Sequence, residues 1–243
     1  MEKTFNCFKF RAVNKFLIDS LVHSTIFLAR PDCLNDPFDS NIDIATIIKK
    51  YSMDEENLSL RKAANNILSN RGFVERFKKN IGELGICSFS IALHETLMWS
   101  HYGDEHKGIA VEYDFPIGIF DNDDNYISVA PTTYKENAVS DWLQENILRY
   151  ESDNYGFVTE LMQKVLTSKA PSWEYEEEGR IISKHSGLIE IHRSALKTIV
   201  FGLRTSGADE KLIRTLVSTY YPKVKYKRVM RGGNDFGLVF QDA

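Results

Sequence analysis

The sequence is poor in the residues and patterns that mark several large function classes. It has three cysteines in 243 residues, Cys7, Cys33 and Cys87. Odd in number and far apart, they neither build a disulfide framework nor supply the paired ligands of a structural zinc site, and they suit a reducing compartment. No apolar run approaches the ~20 residues of a membrane-crossing helix. The N-terminal MEKTFNCFKFR has no apolar core of the signal-peptide kind. A cytoplasmic chain with no membrane partner is therefore expected. Net charge is −4, which leaves no basic excess to argue for nucleic acid across the whole protein. There is no Walker or dinucleotide glycine loop and no G-x-S-x-G elbow. Repeats, low-complexity stretches and obvious linkers are missing too, so residues 1–243 read as one domain.

What the chain does have is concentrated in Ile86 to Asp114, ICSFSIALHETLMWSHYGDEHKGIAVEYD. Ile86 to Ser90 reads as a short apolar strand. Thr96 to Tyr102 has helical spacing, with Leu97, Met98 and His101 on one face and Trp99 and Tyr102 beside them. Gly103 is expected to end that helix in a left-handed cap. Gly108 opens an alternating strand to Asp114. Strand signals recur at 6–11, 25–29, 126–130, 188–191, 198–202, 224–230 and 236–240. Extended character is expected over Trp173 to Ser183, with 188–191 as a possible partner. Helical patterns cover 14–22, 60–84 broken at Gly72, 138–166 broken around Gly156, and 208–219. Asp39 to Ser59 is polar, with only scattered apolar residues. Gly232-Gly233-Asn234-Asp235 is a hairpin turn signal between the last two strands. The pattern predicts an α+β fold, with mixed, mostly antiparallel sheets around a cleft and helices inserted between strands.

Several side chains are candidates for chemistry. Glu174, Glu176, Glu177 and Glu178 precede Arg180. In a strand, Glu176, Glu178 and Arg180 share a face, and a carboxylate there can steady a developing cation. The bland alternative is a solvated acidic edge neutralised by Arg180. Ser88 and Ser90 share a strand face and can hold a ligand hydroxyl or amide. Arg11, at a strand end, can grip a phosphate bidentately. His94, His101 and His106, with Asp104 or Glu105, are the material for a metal hydrolase, but they lack the i, i+4 spacing of a helical zinc pair, and no metal is expected. Lys211 to Arg231 carries seven basic residues and no acidic one, interleaved with Tyr220, Tyr221 and Tyr226. That pattern suits a nucleic-acid patch or, more plainly, the protection of an edge strand by lysines.

Four blocks resemble the bacterial family catalogued as domain of unknown function 2971: Lys9 to Arg11, Phe27 to Asp39 (FLARPDCLNDPFD), Cys87 to Asp114, and Trp173 to Arg180 (WEYEEEGR). At a second level, Arg11, then Ser88-x-Ser90, then Glu176-x-Glu178 is similar in chain order to the arginine–serine–glutamate signature of ADP-ribosyltransferases, with Ser-Phe-Ser in place of the usual Ser-Thr-Ser. That resemblance implies two small sheets around a cleft holding NAD as substrate. Arg11 would bind a phosphate, and Ser88 and Ser90 would order the strand beside the nicotinamide ribose. Glu178, with Glu176 as neighbour, would bond the ribose and stabilise its oxocarbenium-like transition state. Trp99 or Tyr102 would stack on nicotinamide. The acceptor would be a protein or nucleic acid. The alternative is a nucleic-acid or nucleotide-binding module without catalysis.

Overall fold

A computed structural model describes residues 4–116, 126–233 and 236–243, with backbone alone at 126–128. The turn signal at Asn234 and Asp235 lies outside the described residues. The chain opens with β1 (Thr4–Arg11), α1 (Lys15–His23) and β2 (Thr25–Leu28). Asn14 caps α1 by accepting from the Phe16 and Leu17 amides, which satisfies N–H groups the helix cannot. Three helices follow: α2 (Ile44–Ser52), α3 (Leu58–Ser69) and α4 (Phe73–Glu83). The first lies in the segment read as merely polar, because Ile44, Ile48 and Tyr51 recur at helical spacing and are buried. Gly72, at φ 77°, makes the break between the other two.

The middle of the chain runs β3 (Gly85–Ser90), α5 (Thr96–His101), β4 (Ile109–Pro116), β5 (Tyr126–Pro131), β6 (Thr133–Tyr134), α6 (Ala138–Asn146), α7 (Asn154–Leu166) and β7 (Ser168–Lys169). The interruption expected at Gly156 falls earlier, between α6 and α7. Gly156 sits inside α7, where the capping Asp153 carboxylate accepts from its amide at 2.9 Å and would be struck by a Cβ. The chain ends with β8 (Glu178–Ser183), β9 (Gly187–Glu190), β10 (Leu196–Phe201), α8 (Gly207–Tyr220), β11 (Lys225–Arg231) and β12 (Leu238–Asp242).

The described strands form an eight-stranded sheet in the order β12-β11-β10-β4-β1-β3-β8-β5 and two two-stranded pairs, β2-β9 and β6-β7. All neighbours in the large sheet are antiparallel except β10 and β11, which α8 connects as a crossover helix must. β9 therefore pairs with β2, not with the 173–183 segment. β11 is flanked by β10 and β12, so its lysines do not guard an edge. The strand alternation feeds different cores. In β3, Ile86 packs under the helices α2, α3, α4, α6 and α7. Its neighbours Cys87 and Phe89 face the opposite side with α1 and α8. A smaller cluster around Phe10, Met98 and Trp99 packs α5 against β1, β4 and β10. No described helix is long and apolar enough to cross a membrane.

Candidate active site

The sheet splits between β1 and β3. β1 pairs with β4 along its whole length, and β3 does the same with β8, but β1 and β3 meet in register only at Phe8 and Ser90. Past that pair the two halves part, and a cavity of about 260 Å³ opens between them. It is lined by Arg11 from β1, Ser88 and Ser90 from β3, Glu178 from β8, and Tyr102 and Glu176. A wider chamber of about 570 Å³ shares Phe10, Arg11, Phe27 and Tyr102 with it. Together they fall within the ~300–1,000 Å³ of small-molecule sites. Lys9 spans the split, donating to the Ser88 carbonyl at 2.5 Å.

The two glutamates reach the cavity by a route the sequence did not suggest. Trp173 to Ser183 is not one extended segment: Pro171–Glu176 is a 3-10 helix, and Glu177 turns the chain at φ 41° into β8. Proline at the first helical position favours that turn of helix. The pivot leaves Glu177 exposed and puts Glu176 and Glu178 inward, at 3% and 5% exposure. A solvated acidic edge is thereby excluded.

Beneath them lies a buried ion network. Arg180 is wholly buried. Its guanidinium donates to both Asp39 oxygens at 2.9 and 2.6 Å, to Glu178 Oε1 at 2.7 Å and to the Leu166 carbonyl at 2.6 Å. Lys169 Nζ donates to Glu176 Oε2 at 2.5 Å and Glu178 Oε2 at 3.1 Å, and stands 3.7 Å from Asp39. Above Glu176, Tyr102 Oη lies 2.6 Å from Oε1 and accepts from Asn35 Nδ2 at 3.0 Å. Trp173 Nε1 donates to Asp36 at 2.8 Å. The Asn35 to Asp39 turn is thus fastened to the cavity wall by Asn35, Asp36 and Asp39. Ser90 Oγ donates to the Glu176 carbonyl and accepts from the Ala92 amide, which fixes the 3-10 turn against β3.

These surroundings push the two carboxyls in opposite directions. Burial raises the pKa of Glu176, and the Lys169 and Tyr102 hydrogen bonds do not fully offset it. Burial also opposes ionisation of Glu178, but the Arg180 charge and hydrogen bonds, Lys169 and a Ser88 hydrogen bond outweigh it and bring the pKa to about 2. Burial penalises the Lys169 cation, yet Glu178, Glu176 and Asp39 hold it charged. Burial, with the Glu176 contact, keeps the Tyr102 phenol protonated. Two carboxyls with separated pKa values in one cavity are the arrangement of an acid and an ionised partner. Arg11, at the lip, makes no side-chain hydrogen bond or ion pair with any described residue.

Trp99 does not join the cleft. It is wholly buried, its Nε1 donates to the Leu93 carbonyl at 2.9 Å, and its ring packs edge-on to Phe10, so it offers no face to a ligand; of the two aromatics expected there, Tyr102 lines the cavity, beside Phe27. The helical face also differs from expectation: Met98 and Trp99 are buried, while Leu97 and His101 are exposed. Gly103 is not left-handed; Asp104, Glu105 and His106 are. Gly103 is required instead by close approach, since a Cβ would lie 2.8 Å from the Trp99 carbonyl. The histidines scatter: His94 packs on Phe240, His101 on Tyr175 and His106 on Trp99. Among the described residues no three His, Cys, Asp or Glu are grouped to hold a metal ion. In the basic segment, Arg214 and Arg228 both pair with Glu210, which leaves five of the seven cations.

Sequence reasoning passed over Lys169 and Asp39. Asp39 closes the block Phe27 to Asp39 and opens a segment read only as polar, and neither reading named a partner for it. Lys169 lies in a short Ser-Lys-Ala-Pro connection with no pattern at all.

Residues 98–181 match the model of a family described as Protein of unknown function (DUF2971). The match contains Tyr102, Lys169, Glu176, Glu178 and Arg180, whereas Arg11, Asn35, Asp39, Ser88 and Ser90 fall before it. Neither a search of curated proteins nor one of solved structures gave a match.

Proposed function

We propose, from the chemistry of the cleft, that this protein binds NAD and cleaves its nicotinamide–ribose bond, transferring ADP-ribose to a protein or nucleic-acid acceptor. One observation carries the reading: Arg11, Ser88 and Glu178 stand on three consecutive strands of the sheet, β1, β3 and β8, around the cavity that opens where β1 and β3 part.

Each group has a task its surroundings suit. Glycosidic cleavage builds positive charge on the sugar, and an ionised carboxylate in a dry site stabilises it. Glu178 is that carboxylate: its cationic partners, Arg180 and Lys169, keep it charged. Arg11, free of any described carboxylate, holds a phosphate. Tyr102 supplies the ring face. The wide chamber beyond Arg11 accommodates the rest of the dinucleotide.

Nicotinamide release from NAD tests the reading, with candidate protein and nucleic-acid acceptors present. Glu178→Gln keeps the shape and loses the charge, and release is expected to fall by about 10²–10³, the scale of one electrostatic contact in the transition state. Absence of release by the wild-type protein, or release indifferent to Glu178→Gln, would refute it and favour the exposed cations of residues 211–231 as a nucleic-acid surface.

A further inference from the structure

The cleft holds a device that NAD does not require. Nicotinamide leaves as a neutral molecule from a cationic glycoside, so no proton has to reach it. Yet Glu176 is joined to Tyr102, and Tyr102 to Asn35, in a chain of hydrogen bonds of 2.6 and 3.0 Å whose middle member lines the cavity. From this geometry we infer that the site also hydrolyses neutral N-glycosides of the nucleotide class, with Glu176 and Tyr102 delivering the proton that such a base needs in order to leave. This inference rests on the assignment of Glu178 as the carboxylate that stabilises the sugar cation.

The hydrogen-bonding inventory permits the relay. A phenol has one proton to donate and two lone pairs to accept with. With Glu176 ionised, the Tyr102 hydroxyl donates to Oε1; protonation of Oε1 reverses that bond, so that Tyr102 Oη accepts from both Asn35 Nδ2 and Glu176 and its own O–H is free for the cavity. Glu176 Oε2 meanwhile keeps the Lys169 hydrogen bond at 2.5 Å. Lys169 also bridges to Glu178 at 3.1 Å, so one ammonium holds the two carboxyls side by side on the cavity wall. The charged and titratable groups facing Glu176 are Tyr102, Tyr134, Tyr175, Lys169 and Glu178, with Arg180 and Asp39 behind them. Burial favours the protonated form that the relay starts from.

The step balances with water as co-reactant. The C1′–N bond breaks and its electron pair goes to the base. The Tyr102 phenol proton goes to the base nitrogen, and the Glu176 proton replaces it on Tyr102. Glu178 remains ionised beside the sugar cation. Water adds to C1′, and the proton it sheds returns to Glu176. The products from a nucleoside monophosphate are the free base and ribose 5-phosphate.

The test compares AMP with NAD on the purified full chain, reading free adenine and free nicotinamide. The wild type is expected to release both. Tyr102→Phe and Glu176→Gln are each expected to lower AMP cleavage at least tenfold more than NAD cleavage, since general acid catalysis contributes about 10²–10⁴ only where the leaving group needs a proton. Circular dichroism and a melting curve establish that each variant is folded; Tyr102→Phe, which removes one oxygen, carries the test alone if Glu176→Gln does not fold. NAD cleavage without AMP cleavage would overturn the relay and leave the NAD reading standing. Equal losses on both substrates would overturn it too, reducing Tyr102 and Glu176 to binding groups. Cleavage of neither would remove both readings together.

Discussion

Replacing Arg180 with leucine removes the member of the network that has the most partners and no exposure. Its guanidinium satisfies both oxygens of Asp39, Glu178 Oε1 and a helix-terminal carbonyl, Leu166. Leucine fills part of the volume but leaves Asp39 and Glu178, both almost wholly buried, with Lys169 as the one cation paired with them among the described residues. Removing one partner of a buried ion pair costs about 3–5 kcal/mol, because the penalty is that of the uncompensated charge left behind. In a chain of 243 residues that corresponds to a fall in Tm of roughly 6–20 °C, at about 2–4 °C per kcal/mol. The assay is a melting curve at neutral pH, repeated for Asp39→Leu with Arg180→Leu. Removing the acid together with the base relieves the stranded charge, so the double variant should be more stable than Arg180→Leu alone. A melting temperature unchanged by Arg180→Leu, or a double variant weakened by the sum of the two single losses, would refute the argument that these charges act as one buried unit.

Two further outcomes follow from the same structure. Trp99→Ala should cost about 3–5 kcal/mol of stability, because the wholly buried ring and its hydrogen bond to Leu93 are lost together; chemical denaturation measures it, and a change under about 1 kcal/mol would mean the ring is not core. Glu178 has a folded pKa of about 2, below its ordinary value of 4.5, so its ionised form stabilises the fold above that ordinary value and the contribution is lost as pH falls towards 2. The stability cost of Glu178→Gln should accordingly be full at pH 7 and shrink across that window, as urea titrations from pH 6 to 2 would show. A cost that grew on acidification would contradict the assignment. Glu176, whose folded pKa is raised by burial, acts in the opposite sense: it favours the fold at pH below its ordinary value and less as pH rises through its folded one.

How much was legible beforehand depended on whether the signal was local. Periodicity announced β1, β3, β4, α5 and the break at Gly72, because a strand alternation or a left-handed glycine is written within a few residues. Arg11, Ser88, Ser90, Tyr102, Glu176 and Glu178 were all named from residue type and order, and all line one cavity. The failures were of two kinds. Glu176 was assigned to a strand because Trp173 to Ser183 was read as one extended segment; a proline at position 171 and a single left-handed residue at 177 instead put a helical turn there. Lys169 and Asp39 escaped because their role is set by partners remote in the sequence: Asp39 is 141 residues from Arg180, and no local pattern records such a pairing. Trp99 misled for a related reason. The resemblance to ADP-ribosyltransferases offered it as a stacking ring, but the left-handed run Asp104 to His106 folds back over α5, with the His106 amide on the Trp99 carbonyl, and closes the ring into the core.

We propose that the cleft takes NAD, with Arg11 on its phosphate, and titration calorimetry of NAD into the wild-type protein and into Arg11→Ala reads that contact. Saturable binding at one site is expected in the wild type. Loss of a charge-assisted hydrogen bond, about 1.5–3 kcal/mol, should weaken it by roughly 10- to 150-fold in the variant. No binding heat in the wild type, or equal affinity in the two proteins, would contradict the account.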